Sequence, residues 1–193
     1  MPFKKAAGLV LLLELLIAVL AVLQYGTTLE ALQAVTRYSG RLSLGIFSVM
    51  FILLPTGEGR LTRLLSSKPF HAFAMAHGIH LAQLLVYVYL SGNDLIPIRL
   101  AGGFLAYLMI FVMPFVHTNY LSGQIDHKMY VIASTVYLYY VWFIFFMSYL
   151  PRVQGKLPNV GGNYWEFVVL LCWVCMMMGM KLSAIIFQRR SAP

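Results

Sequence analysis

The sequence predicts an all-α integral membrane protein, a six-transmembrane-helix bundle, and three observations support this. The chain has 193 residues, of which 61% are apolar and 10% are charged, whereas about 25% of the residues in an ordinary soluble domain are charged. Six apolar stretches each come near the roughly 20 residues that a spanning helix needs. Short segments rich in Gly, Pro, Ser and Asn separate these stretches and are typical of turns.

We expect one domain over residues 1–193, because the gaps between the apolar stretches are shorter than the roughly 50 residues of a folded extramembrane domain. A nucleotide- or flavin-binding module would therefore have to belong to a partner protein. The predicted spans, in chain order, cover residues 7–25, 39–55, 70–91, 99–117, 129–150 and 164–187.

Each predicted helix has a recognisable boundary. The first follows Lys4 and Lys5, as a signal peptide would, but it is long for a signal sequence and no small-residue cleavage site follows it, so we expect a retained helix. The other boundaries are turn-forming residues that end or precede an apolar stretch: residues 55–59, 91–94, 119–123, Pro151 and 158–162.

The net charge of +8 comes from 14 Lys and Arg against 6 Asp and Glu. The basic residues lie almost entirely between apolar stretches, so membrane topology explains them and we expect no nucleic-acid partner. Nine basic residues fall on the predicted side of the two chain ends and five on the other side. This excess predicts a multi-pass protein of the inner cell membrane with both termini in the cytoplasm.

All five histidines fall in the half of the predicted bundle that is nearer the cytoplasm: His71, His77, His80, His117 and His127. Because His77 and His80 are three residues apart in the third helix, they share one helix face, roughly 10 and 15 Å deep. Neutral imidazole is a usual ligand of haem iron, and ionisable groups inside a membrane usually face a site or the bundle interior. Interhelical hydrogen bonds to Ser, Thr or Tyr are the alternative role for this pair.

Glu14 lies within the first predicted helix, where a carboxyl group is costly. It is a candidate proton relay or quinone contact, and the alternative is a structural pairing with a basic or hydroxyl group of the bundle. A non-haem metal site made of His77, His80 and a carboxylate would also have to use Glu14, the only intramembrane acid on the early helices.

Several short motifs resemble the ferric-reductase-like transmembrane domain family, which includes the haem subunit of the bacterial methionine sulfoxide reductase system. The resemblance extends over roughly residues 35–152. It is carried by a Thr-Arg-Tyr-Ser-Gly-Arg stretch at 36–41, Pro55, an Ala-His-Gly-Ile-His stretch at 76–80, and the aromatic end of the fifth helix at 139–152.

This resemblance implies haem b held by histidine pairs, one histidine from the third helix and one from the fifth. It carries over to His77 and His80, and Arg37 in the first motif is a further cofactor-binding candidate. The sequence has no histidine between Met129 and Leu150, and the expected ligand position falls near Ser134. Either His127 or His117 replaces that ligand, the haem iron has one histidine ligand, or the haem is lost. The expected metal ligands are therefore His77, His80 and His127.

The function implied by the resemblance is that of a membrane electron-transfer subunit, a possible oxidoreductase component acting with a separate redox partner. It would pass electrons between quinone or a reduced flavoprotein and an acceptor across the membrane, with the lipid bilayer as its surroundings. The alternative is a non-catalytic accessory subunit of a larger membrane complex that binds no haem.

Overall fold

The computed structural model describes residues 3–53, 69–92, 97–157 and 161–191, and within these ranges the chain forms α-helices and short turns without any strand. The all-α prediction is confirmed. The six helices are α1 (Phe3–Tyr25), α2 (Leu29–Leu53), α3 (Pro69–Ser91), α4 (Pro97–Leu121), α5 (His127–Val153) and α6 (Tyr164–Ser191). The turns expected at 55–59, at 93–94 and at 158–160 lie outside the described residues.

Five helices are long and apolar enough to cross a membrane, namely α1, α3, α4, α5 and α6. Their outer surfaces carry large apolar side chains that solvent would reach, such as Leu12 and Leu15 of α1 and Phe104 of α4. Such surfaces suit hydrocarbon rather than water. The chain is therefore a multi-pass membrane protein, and six spans stay a prediction because α2 is less apolar.

Helix α2 begins ten residues before the predicted start at residue 39, because its first turns are polar and amphipathic rather than apolar. Gly26 ends α1 with φ of 68°, a left-handed conformation that glycine adopts without strain. Thr28 then caps α2, since its Oγ1 accepts a hydrogen bond from the Ala31 N–H at 3.3 Å. The connection between α1 and α2 is thus a tight turn.

The fifth helix also extends beyond its predicted limits. Asp126 caps its start, because the carboxylate accepts a hydrogen bond from the Lys128 N–H at 3.0 Å. Pro151 does not close α5 as expected but lies in its last turns. Helix α4 likewise continues to Leu121, so the turn expected at 119–123 is shortened to the residues around Gly123, whose φ is 75°.

Helix α2 lies at the centre of the bundle and contacts α1, α3, α5 and α6. Phe47 of α2 is fully buried, and its ring centroid lies 5.3–5.5 Å from those of Phe51, Phe73 and Phe145. This aromatic cluster joins α2, α3 and α5 at ring separations that favour aromatic pairing.

Polar contacts attach α6 to the second half of α2. The Trp173 indole N–H donates to the Ser48 hydroxyl at 2.9 Å, and the Arg41 guanidinium pairs with the Glu166 carboxylate at 2.7 Å. The buried ammonium group of Lys181 donates to the Phe51 carbonyl, which lies in the last turn of α2. A cation at this position also complements the negative end of the helix dipole.

Phe47→Ala is expected to lower the free energy of unfolding by roughly 3–5 kcal/mol, because the cavity left inside the bundle loses its packing contacts. Phe104→Ala on the lipid-facing surface of α4 is the matched control and should change it little. Thermal unfolding of both variants in detergent measures the difference. Equal effects of the two substitutions would contradict a central position of α2.

Candidate functional site

The candidate site is built on one face of α3. Its polar side chains recur every three or four residues, at His77, His80, Gln83 and Tyr87, which is the spacing of residues that share a helix face. We call these four residues the polar seam. The seam faces α1, α2 and α4, so its groups lie inside the bundle rather than against lipid.

His77 is enclosed by aromatic rings. The Phe73 and Tyr107 rings stack on the imidazole with centroid distances of 5.2 and 4.9 Å, and the Phe145 ring meets it edge-on at 5.9 Å. Its Nδ1 atom is buried and has no hydrogen-bond partner among the described residues. A buried imidazole nitrogen in this state is unsatisfied, which is unfavourable unless a ligand or water completes it.

His80 lies against α2 at Gly40. A Cβ atom at position 40 would be 3.0 Å from the His80 Cε1 and 3.4 Å from either ring nitrogen, so any larger residue there would force the imidazole to shift by a few tenths of an ångström. The His77 and His80 ring centroids are 5.3 Å apart. The Nδ1 atom of His80, like that of His77, is buried without a partner in the described part of the chain.

The next seam residue, Gln83, belongs to a three-helix hydrogen-bond cluster. Its amide Nε2 donates to one oxygen of the Glu14 carboxylate at 3.1 Å, and the Ser39 hydroxyl donates to the other at 2.7 Å. Glu14 comes from α1 and Ser39 from α2, and both are buried. Of the roles expected for Glu14, the pairing with a hydroxyl group is therefore present.

Tyr87 ends the seam, where its hydroxyl accepts a hydrogen bond from the Gln33 amide at 2.8 Å. Beyond Gln33 lies an open cleft of about 530 Å³ between the starts of α2 and α6. Its lining is largely polar and consists of Gln24, Tyr25, Glu30, Gln33, Arg37, Tyr38, Gly161, Gly162, Asn163 and Glu166. The seam thus leads from this cleft to the histidine pair.

Arg37, the further cofactor-binding candidate, lies in the cleft. Its guanidinium is 5.2 Å from the Tyr38 ring, and its Nε atom is buried without a hydrogen-bond partner within the described residues. A Cβ at Gly162 would be 3.2 Å from the Arg37 Cδ, so the α5–α6 connection passes directly over this side chain. Arg37 therefore belongs to the cleft.

The structure does not bring His127 to the pair. The His127 side chain is exposed at the start of α5 and hydrogen-bonds the Tyr120 hydroxyl at 3.1 Å. Phe145, which contacts His77, is about 27 Å further along the same helix at 1.5 Å per residue. A haem held between His77 and His127, two of the expected metal ligands, is incompatible with this separation.

His117 and His71 occupy other positions. His117 hydrogen-bonds the Tyr130 hydroxyl at 2.8 Å and packs on the Phe70 ring, while His71 lies in the first turn of α3. Among the described residues no three His, Cys, Asp or Glu side chains are grouped to hold a metal ion. The expected ligands His77, His80 and His127 therefore form no common centre, and Glu14 does not complete a metal site with the pair.

The donors present fit haem iron only with one histidine ligand. The two unpartnered Nδ1 atoms belong to one helix, three residues apart, and cannot face each other across a macrocycle. No protein family, curated protein or solved structure matches this chain. The resemblance to the ferric-reductase-like family stays a prediction from short motifs.

Sequence reasoning found His77, His80 and Glu14 but missed Gly40, Ser39 and Gln83. The spacing of the polar residues on α3 is a signal that indicates the seam. Nothing in the sequence alone identifies which glycine of α2 lies against an imidazole, because that depends on the rotation of α2.

The contact between Gly40 and His80 is testable with two glycines of one helix. Alanine normally stabilises a helix interior by about 1 kcal/mol relative to glycine, and a Cβ at Gly45 would meet no atom within 4 Å. We expect Gly45→Ala to be neutral or stabilising and Gly40→Ala to be destabilising by about 1 kcal/mol, since the imidazole must move. Thermal unfolding in detergent gives both values.

A double-mutant cycle tests whether the His80 ring causes the destabilisation expected for Gly40→Ala. In a His80→Ala background the Gly40→Ala substitution should cease to be destabilising, because the obstructing ring is gone. A penalty that persists without the imidazole would show that Gly40 is required for another reason.

Proposed function

We propose that this protein is a membrane electron-transfer subunit that holds haem b through one imidazole of α3, with His80 as the ligand. The observation that carries the proposal is the histidine pair of α3, whose Nδ1 atoms are buried and have no partner within the described chain. Burial in a bundle keeps imidazole neutral in the form that binds iron, and an unsatisfied nitrogen there favours a ligand. When bound, haem supplies one-electron transfer.

Residues around His80 would position and insulate the group. Gly40 allows the imidazole to lie flat against α2, and the Glu14 cluster fixes the next turn of α3. His77 lies 5.3 Å away within its aromatic enclosure and supports the local helix packing. The low polarity of these rings would influence the reduction potential.

A single haem at the depth of His80 would carry electrons only partway across a hydrocarbon core of about 30 Å. The proposed function therefore includes a separate redox partner, either a quinone or a reduced flavoprotein, as electron donor or acceptor. A flavin would reside in that partner.

A second candidate function is that of an accessory subunit without haem. It is favoured by the aromatic enclosure of His77, where Phe73, Tyr107 and Phe145 already occupy the surroundings of the imidazole. In this function the polar seam would serve only to fix α3 against α1 and α2.

Haem content separates the two functions. The full chain, expressed with ample haem and purified in mild detergent, should show the spectrum of a high-spin b-type haem that changes on reduction with dithionite. His80→Ala should remove nearly all of the haem, whereas the control His117→Ala should retain it, because His117 lies near the start of α3. Absence of haem from the parent protein would leave the accessory function.

We further propose that α2 crosses the membrane, so that six spans place both termini in the cytoplasm. The Gln33–Tyr87 hydrogen bond and the Phe47–Phe73 ring contact are separated by about 21 Å along α3. Helix α2 therefore accompanies α3 through most of a hydrocarbon core, shielded by its neighbours. The nine-to-five excess of basic residues supports the cytoplasmic side.

Reporter fusions test this topology. Reporters placed before Met1 and after Pro193 should both indicate the cytoplasm, and a reporter inserted after Ser91 should indicate the opposite side. Termini on opposite sides of the membrane would mean an odd number of spans and would exclude a crossing by α2.

A further inference from the structure

Glu14 is a buried carboxyl group that is not a ligand of the proposed haem. Its side chain is 5% exposed, while Leu12 and Leu15 on either side of it are 61% and 62% exposed to the surroundings of the bundle. Val10, Glu14 and Ala21 form the narrow buried stripe of α1. The carboxyl group therefore points into the bundle from a helix that otherwise faces lipid.

The hydrogen-bond partners of Glu14 carry no charge. Ser39 and Gln83 donate to its two oxygens, and in the described chain no cation forms an ion pair with it. An ionised carboxylate inside a membrane bundle is costly when it lacks a countercharge. A proton on Glu14 would remove that cost.

Ser39 and Gln83 can also form hydrogen bonds with the protonated carboxyl group of Glu14. A serine hydroxyl donates or accepts, and a glutamine amide presents either its NH₂ or its oxygen after a flip of the amide. The Gln83 Oε1 atom is buried and has no partner among the described residues. It is therefore available to accept a hydrogen bond from the hydroxyl group of a protonated Glu14. Arg or Lys, which only donate, would instead hold the carboxylate ionised.

Other charged and titratable groups approach the cluster from the helices that pack on α1. Tyr38 of α2 packs against the α1 interface, and the Arg37 and Arg41 guanidinium groups lie over its ring at 5.2 and 4.7 Å. From α3, His80 lies one turn away from Gln83. None of these groups is hydrogen-bonded to Glu14 in the described residues, and Arg41 is paired with Glu166.

We propose that Glu14 is an internal proton-exchange site, reached from the cleft between α2 and α6 through the polar seam. Glu14 takes up a proton that enters by way of the cleft, and releases it by the same route. The carboxylate becomes a carboxylic acid, and the Gln83 amide reorients so that its Oε1 accepts the new O–H in place of the hydrogen bond that its Nε2 donates to the carboxylate. No covalent bond other than that O–H forms or breaks within the cluster.

The route follows hydrogen-bonding groups already in place. Gln33 and Tyr87 are hydrogen-bonded where the seam meets the cleft, and Gln83 contacts Glu14 about one turn deeper. The unpartnered Oε1 atom of Gln83 is a position where bound water would complete the chain. Proton exchange at Glu14 does not depend on haem, since each group in the route belongs to the protein.

Infrared difference spectroscopy of the full chain in lipid nanodiscs, recorded between acidic and alkaline buffers, tests this site. A protonated buried carboxyl group has a C=O stretching band separate from those of ionised carboxylates and amides, and the band shifts in D₂O. We expect one such band to appear at lower pH and to be lost in Glu14→Gln. The matched control is Asp126→Asn, which removes an exposed carboxyl at the start of α5, away from the cleft, and should retain the band.

Ser39→Ala keeps the carboxyl group and removes one hydrogen bond, so the band should persist at a higher wavenumber. This variant tests the assignment even if Glu14→Gln fails to fold. Identical pH-difference spectra for the parent and Glu14→Gln would overturn the proposal, as would a band unaffected by Ser39→Ala. A signal that follows sodium concentration at fixed pH would also overturn it, because the cluster would then bind a metal cation. Haem content is measured on the same samples, so failure of the electron-transfer proposal is seen separately.

Discussion

The rest of the structure depends on one constraint, which is that α2 carries polar and charged side chains and cannot face hydrocarbon. Gln33, Ser39, Arg41 and Ser48 would each be costly against lipid. Helices α1, α3, α5 and α6 therefore pack around α2, and α3 and α6 provide partners for these groups at Tyr87, Glu166 and Trp173. The outer surfaces of these helices are strongly apolar. The bundle therefore has an apolar exterior, and its polar side chains lie inside.

This arrangement explains why the candidate chemistry lies between α2 and α3. Small residues on α2 allow the two helices to approach closely, and Gly40 places the His80 imidazole directly against the α2 backbone. The same interface contains the Glu14 cluster one turn further along α3. An imidazole suited to bind iron and a carboxyl suited to bind a proton thus share one face of one helix.

Composition and hydropathy predict the helical class and five of the spanning helices, because lipid exposure requires long apolar stretches that are visible in the sequence. They fail at the first ten residues of α2, where the helix is stabilised by burial against neighbours rather than by its own apolar character. They fail again for His127, whose predicted depth assumed that its helix began at the same level as the start of α3. The structure instead places Phe70 of α3 opposite Tyr137, about 15 Å beyond the start of α5.

The polar contacts between α2 and α6 have a consequence for biosynthesis. Arg41, Ser48 and Phe51 find partners at Glu166, Trp173 and Lys181, and the first two pairs are separated by 125 residues in the chain. At about 5–20 residues per second, the ribosome adds Glu166 and Trp173 roughly 6–25 s after it has added their partners on α2. During that interval the polar groups in the second half of α2 lack the α6 partners that later form hydrogen bonds with them. The nascent helix must therefore wait beside α1 or within the insertion machinery, and the last helix completes the bundle.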